Sequence, residues 1–149
     1  FITINISTMY LNITPSRLIS EVQKDFNAEF PFLKIEFFKK RPVGQPEFSA
    51  AGMLPANQKI GLAQTIAVDG GIDIGPEMKV KELERIFKDR FDLKAQVFRL
   101  SGNIWLETTM TDNWSLRQQN EHGREISEGK KIKNPELPGD FDLARDADH

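Results

Sequence analysis

The chain has 149 residues, a net charge of -2, 39% hydrophobic and 28% charged residues, and no cysteine. This composition is typical of one globular domain with a sizeable core and favours a cytoplasmic location. It excludes disulfides, thiol chemistry and cysteine-ligated zinc, and the near-neutral charge gives no whole-molecule reason to expect a nucleic-acid or membrane partner.

The N-terminal part of the chain predicts two short strands. Ile2, Ile4 and Ile6 alternate with polar residues in the range 1–7, and a second strand pattern runs from Met9 to Ile13. Alternation with a period of two is typical of a half-buried strand. The two segments form either a hairpin or one long strand, and the first is too short to be a secretory or transmembrane segment.

Two helices of about three turns are predicted, each from one apolar stripe with spacings of three and four residues. The stripes consist of Ile19, Val22, Phe26 and Phe30 in the first helix and Val80, Leu83, Phe87 and Phe91 in the second. On the solvent side of each helix, an acidic residue precedes a basic one by three positions, a spacing at which ion pairs contribute about 0.2–0.5 kcal/mol. These expected pairs are Glu21 with Lys24 and Glu82 with Arg85.

After each helix the apolar period changes to two, which predicts a half-buried strand. The inward residues are Leu33, Ile35 and Phe37 in the first strand and Leu93, Ala95 and Val97 in the second. Ser101-Gly102-Asn103 tolerates the backbone of a tight turn, and the alternation resumes from Ile104 to Thr109. The sequence therefore predicts a β-hairpin here.

The remaining segments are less regular. Residues 41–55 carry the prolines and glycines of a loop, and residues 59–68 fit either a short helix or a strand. Residues 114–120 fit a short helix that Asp112 or Asn113 would cap. Residues 124–149 lose their apolar periodicity, so we expect a disordered tail.

An internal repeat relates the two halves of the chain. Ile13, Pro15, Glu21, Phe26 and Phe30 recur 61 positions later, and after removal of one residue Leu33, Lys34 and Phe38 recur as Leu93, Lys94 and Phe98. The alternative is that any two amphipathic helix-strand units look alike. The repeat predicts an α+β fold in which two tandem, degenerate β-α-β(-β) units pack with pseudo-twofold symmetry.

The predicted domain spans residues 1–123, with repeats at about 9–62 and 63–122. A right-handed crossover would make the strands that flank each helix parallel neighbours wherever they share a sheet.

Residue types that carry catalysis or bind metals are few and scattered. His122 and His149 have no second histidine or spaced carboxylate beside them, and an exposed surface position is the simpler interpretation of His122. Gly70-Gly71 lacks the Lys-Ser/Thr of a phosphate-binding loop. We therefore predict no catalytic residue, no metal and no cofactor.

One surface candidate lies on the polar face of the two equivalent strands. Lys34 and Phe38, like Lys94 and Phe98, lie four residues apart, and a basic residue beside an aromatic ring is how single-stranded nucleic-acid modules hold phosphates and stack bases. The alternative is that both rings are covered by the other copy, the hairpin or a dimer partner.

A second candidate surface lies around the only two tryptophans, Trp105 and Trp114, which are separated by short polar residues. This composition suits a recognition surface, and it equally suits the closed end of a small core.

The run from Glu82 to Thr109, including Phe91-Asp92-Leu93-Lys94 and Val97-Phe98-Arg99-Leu100, continues into Thr111-Asp112-Asn113-Trp114-Ser115-Leu116. It resembles a family of small bacterial α+β proteins of uncharacterised function. The resemblance covers mainly the second repeat and implies no activity or ligand residue.

These observations favour a non-catalytic binding or adaptor module that acts through protein-protein contacts, with no membrane partner and with a homodimer left open. The first alternative is a single-stranded nucleic-acid-binding protein that uses Lys34, Phe38, Lys94 and Phe98. The second is a small enzyme that uses Glu107, Asp112 and His122.

Overall fold

The computed structural model describes residues 8–40 and 52–129. Its strands are β1 (Met9–Asn12), β2 (Leu33–Phe38), β3 (Gly71–Ile74), β4 (Lys94–Ser101) and β5 (Ile104–Glu107). Its α-helices are α1 (Ile19–Glu29), α2 (Val80–Phe91) and α3 (Leu116–Ser127), with short 3-10 turns at Ile60–Ala63 and Thr109–Thr111. The protein is therefore of mixed α+β class, as the sequence predicts.

The strands of the described ranges form two antiparallel sheets. β1 pairs with β3, and β4 lies between β2 and β5 in a three-stranded sheet. The two strands that flank α1 lie in different sheets, and so do the two that flank α2. The condition for parallel neighbours is therefore not met, because each helix connects one sheet to the other instead of crossing over a single sheet.

Each helix stripe is buried in one core that both halves of the chain share. The Phe37 ring of β2 meets the Phe87 ring of α2 edge-on, with ring centres 5.3 Å apart. The predicted solvent-side ion pairs are not formed. Instead, the carboxylates of Glu21 and Glu82 accept hydrogen bonds from the backbone N–H groups of Leu18 and Lys79, at 2.8 and 3.0 Å, so both acids cap their own helices.

The helix N-termini are joined in pairs through their backbones. The segment before α1 pairs with the segment before the first 3-10 turn, through Leu18 and Lys59, and the segment before α2 pairs with the one before α3, through Lys79 and Ser115. Each pairing satisfies N–H groups that a helix start would otherwise leave without a partner. The bonds of the first pairing are Ile19 N to Gln58 O, Ser20 N to Ala56 O, Ile60 N to Arg17 O and Gly61 N to Pro15 O.

The β4–β5 hairpin and helix α3 form the C-terminal part of the described structure. Ser101 faces Ile104 across a two-residue turn, as predicted, with Gly102 at a φ of 69°. Ser115, not Asp112 or Asn113, caps α3, and its hydroxyl accepts from the N–H of Gln118. Helix α3 continues to Ser127, four residues beyond the predicted end of the domain, and the Ser127 hydroxyl donates to the Leu100 carbonyl at 3.1 Å.

Several sequence-based expectations fall outside the described residues. These are the strand at 1–7, most of the loop at 41–55, and residues 130–149 of the expected tail. Of the ambiguous range 59–68, residues 60–63 form a 3-10 turn. Within residues 8–40 and 52–129, no helix has both the length and the apolar character needed to cross a membrane.

Candidate functional site

The structure brings together the four residues of the predicted strand surface. Lys34 lies opposite Phe98, and Phe38 lies opposite Lys94, across the β2–β4 pair. However, Phe38 is only 3% exposed and Phe98 only 8%. Neither ring is open to a stacked base in this structure, since both are covered by the protein.

Lys34 is held within this surface by its neighbours. Its ammonium nitrogen lies 5.6 Å from the centre of the Phe98 ring, 5.1 Å from that of Trp105, and 3.1 Å from a carboxylate oxygen of Glu36. A cation over two aromatic faces and beside a carboxylate is a satisfied structural group.

The two tryptophans do not form one patch. Trp105 lies opposite Leu100 and close to Lys34, whereas Trp114 lies 5.7 Å from the guanidinium carbon of Arg99. Successive residues of a strand point to opposite faces of the sheet. The indole rings of Trp105 and Trp114 are therefore on opposite faces of the three-stranded sheet.

Trp114 belongs to a buried polar cluster around Arg99, a side chain with no exposed surface. Arg99 donates to the side-chain oxygen of Gln119, whose amide nitrogen donates to both oxygens of Thr111 at 2.8 Å. The His122 ring meets Trp114 edge-on, with ring centres 5.5 Å apart. The expected surface histidine is thus a core residue, which sequence spacing alone could not indicate.

The environment of His122 keeps its ring neutral at pH 7. Burial lowers the pKa of His122 to about 4, and the positive charge of Arg99 adds to the effect. Glu107, at the end of β5, and Asp112, after the second 3-10 turn, are the other residues of the enzyme hypothesis. None of these three residues lines the cleft described next.

A cleft of about 620 Å³ runs along α2, between this helix and the beginning of β4. Its lining is mostly charged, with five basic and three acidic residues. It consists of Lys40, Lys81, Glu84, Arg85, Lys88, Asp89, Asp92, Leu93, Lys94 and Ala95. We take this charged cleft as the candidate site of the described ranges.

Glu84 is the half-buried acid of this cleft. Strand β4 extends beyond the end of β5, and there the Glu84 carboxylate accepts the N–H of Val97 at 2.9 Å while the Thr108 hydroxyl donates to the Val97 carbonyl at 2.8 Å. Burial raises the pKa of Glu84 to about 7; the Val97 N–H opposes this shift, and the charge of Asp112 adds to it. The carboxyl is therefore partly protonated near neutral pH.

The lining of the cleft includes one ion pair. The Lys40 ammonium contacts the Asp92 carboxylate and also donates to the Thr65 hydroxyl at 3.0 Å. The hydrogen bond from Lys40 and a second one from the Thr65 N–H lower the pKa of Asp92. These two charges are neutralised within the protein.

The outer wall of the cleft carries three exposed cations, Lys81, Arg85 and Lys88, which we name the α2 cation stripe. None of the three forms an ion pair within 4 Å with a residue of the described ranges. At 100° per residue these positions lie within about 60° of one another around the helix.

The stripe was not predicted from the sequence, although the spacing of four and three residues between its cations is readable once α2 is predicted. The partial burial of Glu84 was not readable, because it depends on where β5 ends.

Neither the arrangement of possible metal ligands nor similarity to known proteins assigns a function to this chain. In the described part of the chain, no group of three or more histidines or carboxylates could hold a metal ion. No family model, no curated protein and no solved structure matches the chain. The resemblance to a family of small bacterial proteins therefore stays a prediction.

Proposed function

We propose that this protein is a non-catalytic binding or adaptor module that acts through protein-protein contacts. The observation that carries the proposal is the α2 cation stripe: three exposed positive charges, fixed on one helix beside a cleft, without carboxylate partners in the described ranges. Neighbouring like charges repel one another, so an arrangement of this kind costs stability unless a partner with complementary charge binds to it.

The ionisable groups that an enzyme could use already have structural partners. The Glu84 carboxylate accepts the N–H of Val97 in β4, and the His122 ring packs against Trp114 in the core. A general acid or base must reach a substrate proton; the His122 ring is buried, and the Glu84 carboxylate is already bound to the backbone of β4. This favours binding over catalysis.

The nucleic-acid alternative receives less support from the geometry. Its stacking residues, Phe38 and Phe98, are buried. Glu84, Asp89 and Asp92 interrupt the positive charge of the cleft, and the whole chain carries a net charge of -2. A phosphate backbone would meet these carboxylates at close spacing.

We also propose that the fold is a tandem repeat with pseudo-twofold symmetry. Two strand registers support this. Leu11 of β1 faces Ile72 of β3, its counterpart 61 residues later. Glu36 of β2 faces Gln96 of β4, its counterpart 60 residues later after the single deletion. A twofold axis that passes between a residue and its counterpart exchanges the two. Each of these pairs is therefore mapped onto itself when the two copies are exchanged, as pseudo-twofold symmetry requires.

The helix starts add independent support. The bonds that tie the start of α2 to that of α3 involve the same relative positions as those of the first pairing. They are Val80 N to Trp114 O, Lys81 N to Asp112 O, Leu116 N to Met78 O and Arg117 N to Pro76 O. Superposition of residues 13–38 on 74–98 in an experimental structure tests the proposal, and a backbone deviation of many ångströms would contradict it.

The repeat supplies its own control for the binding site. The positions of α1 that correspond to Lys81, Arg85 and Lys88 carry Ser20, Lys24 and Asn27, so the first copy lacks the stripe. We therefore assign binding to the second copy.

The test is quantitative co-purification from the native cell. Arg85→Glu/Lys88→Glu reverses two charges of the stripe, and Lys24→Glu/Lys59→Glu makes the same change in net charge at exposed positions elsewhere. We expect a protein partner that is recovered with wild type and with the control variant and is lost with the stripe variant. Recovery that is equal for both variants would contradict the proposal.

A further inference from the structure

We propose that the α2 cation stripe binds an extended acidic segment of a partner protein, in which a carboxylate occurs at every second residue. This inference rests on the proposed binding function and specifies the chemistry of the partner. Three features of the site carry this inference: the spacing of the cations, the carboxylate that follows them, and the size of the cleft.

The spacing of the stripe matches the period of an extended chain. Lys81 and Arg85 are four residues apart, which corresponds to about 6 Å along the helix axis, and Lys88 lies about 10.5 Å from Lys81. Alternate side chains of an extended segment point to the same side and are about 6.6–6.8 Å apart. Two carboxylates at this separation can contact Lys81 and Arg85 together, and the long Lys88 side chain covers the remaining difference for a third.

The alternation follows from the side of the segment that faces the helix. Only every second side chain of an extended segment points toward the helix, so half of the carboxylates in a block of acids point away from the stripe, whereas all of them face it in an alternating segment of the same composition. Asp89 lies one turn after Arg85, so an acid placed beyond the stripe would meet a like charge there. Like charges brought together at an interface disfavour the wrong partner.

The dimensions of the cleft set the length of the segment. The lining residues of α2 extend from Lys81 to Asp89, about 12 Å along the axis. An extended chain covers this distance in about four steps, so about five residues, with three alternate side chains on one side, fit along the helix.

The experiment measures binding of three labelled probes by fluorescence anisotropy. The first is a peptide that alternates glutamate and threonine, the second has the same composition with all glutamates in one block, and the third is oligothymidylate of equal charge. The protein variants are Arg85→Gln/Lys88→Gln and the matched control Lys24→Gln/Lys59→Gln. Exposed ion pairs each change affinity by a factor of about 1.4 to 5, so loss of two predicts binding weakened by about 2- to 30-fold.

We expect the alternating peptide to bind the wild type and the control variant equally, to bind the stripe variant more weakly, and to dissociate as salt is raised. Equal binding of the block peptide, binding of oligothymidylate in preference to both peptides, or no binding of any probe would overturn the inference. If a protein partner still depends on Arg85 and Lys88 in co-purification while the peptides fail, the proposed function stands and only its acidic partner segment is refuted.

Discussion

Replacement of Glu84 by glutamine should stabilise the protein at neutral and alkaline pH. The substitution keeps the shape of the side chain and an oxygen that can accept the Val97 N–H, which the carboxylate binds at 2.9 Å. It removes the ionisable group that burial disfavours in its charged form. Gln23 of α1, which lies 61 positions before Glu84, carries such an amide, whose nitrogen donates to the Ile35 carbonyl at 2.7 Å.

The magnitude follows from the change in the Glu84 pKa on folding. The pKa rises from 4.5 to about 7, so between these values the folded state binds a proton that the unfolded state has released. The stability contributed by this group is full below pH 4.5, falls as pH rises to about 7, and then stays constant. This change of about 2.5 in the Glu84 pKa corresponds to about 3 kcal/mol of stability, because a difference of one in pKa is worth about 1.4 kcal/mol.

The assay is urea unfolding at pH 5, 6, 7 and 8, followed by tryptophan fluorescence. The free energy of unfolding of Glu84→Gln, minus that of wild type, should increase with pH by up to about 3 kcal/mol. Glu29→Gln, which removes an exposed carboxylate from α1, controls for the change in net charge. A difference that does not vary with pH, or that decreases as pH rises, would refute the account of Glu84.

Three further changes test other parts of the fold, and a fourth tests the tail. The pKa of His122 is lowered from 6.5 to about 4, so stability should be lost as pH falls from about 6.5 to 4, by about 3 kcal/mol. His122→Gln should abolish that acid dependence in a second urea series at pH 4, 5, 6 and 7. Gly123→Ala should lower the melting temperature although alanine favours helices by about 1 kcal/mol, because the new Cβ would lie 2.9 Å from Arg99 Cγ; an unchanged or higher melting temperature would contradict the packing of α3. Ser115→Ala should cost about 0.5–2 kcal/mol through loss of the α3 cap, and no change in calorimetry would show that the cap is dispensable. Deletion of residues 130–149, which lie outside the described ranges, should leave the melting temperature unchanged, since this segment has few large apolar residues; a drop of several degrees would refute the prediction.

Local elements were predictable because their signals are local. The apolar stripes of α1 and α2 have the period of a helix, and the turn at Gly102 needs a residue that tolerates positive φ. The cap of α3 was also readable, since Ser115 and Gln118 have the spacing of a capping box. Pairing of β1 with β3 was not readable, because it joins residues about sixty positions apart and no local pattern specifies a partner strand.

In the candidate surfaces too, the positions of residues along a strand or helix were predictable, whereas their burial was not. Sequence spacing placed Lys34, Phe38, Lys94 and Phe98 on one strand face, and they do lie together, yet alternation cannot tell whether that face is covered. The α2 cation stripe follows from helical spacing alone. The role of Glu84 depends on the unequal lengths of β4 and β5, which only the assembled sheet reveals.

The most direct test of the binding account is site-specific photocrosslinking in the native cell. A photoreactive amino acid replaces Arg85 in one variant and Lys24, the matched exposed position of α1, in the other. The account predicts a discrete cross-linked protein partner at position 85 and none at position 24. The same partner at both positions, or a nucleic acid at position 85, would contradict it.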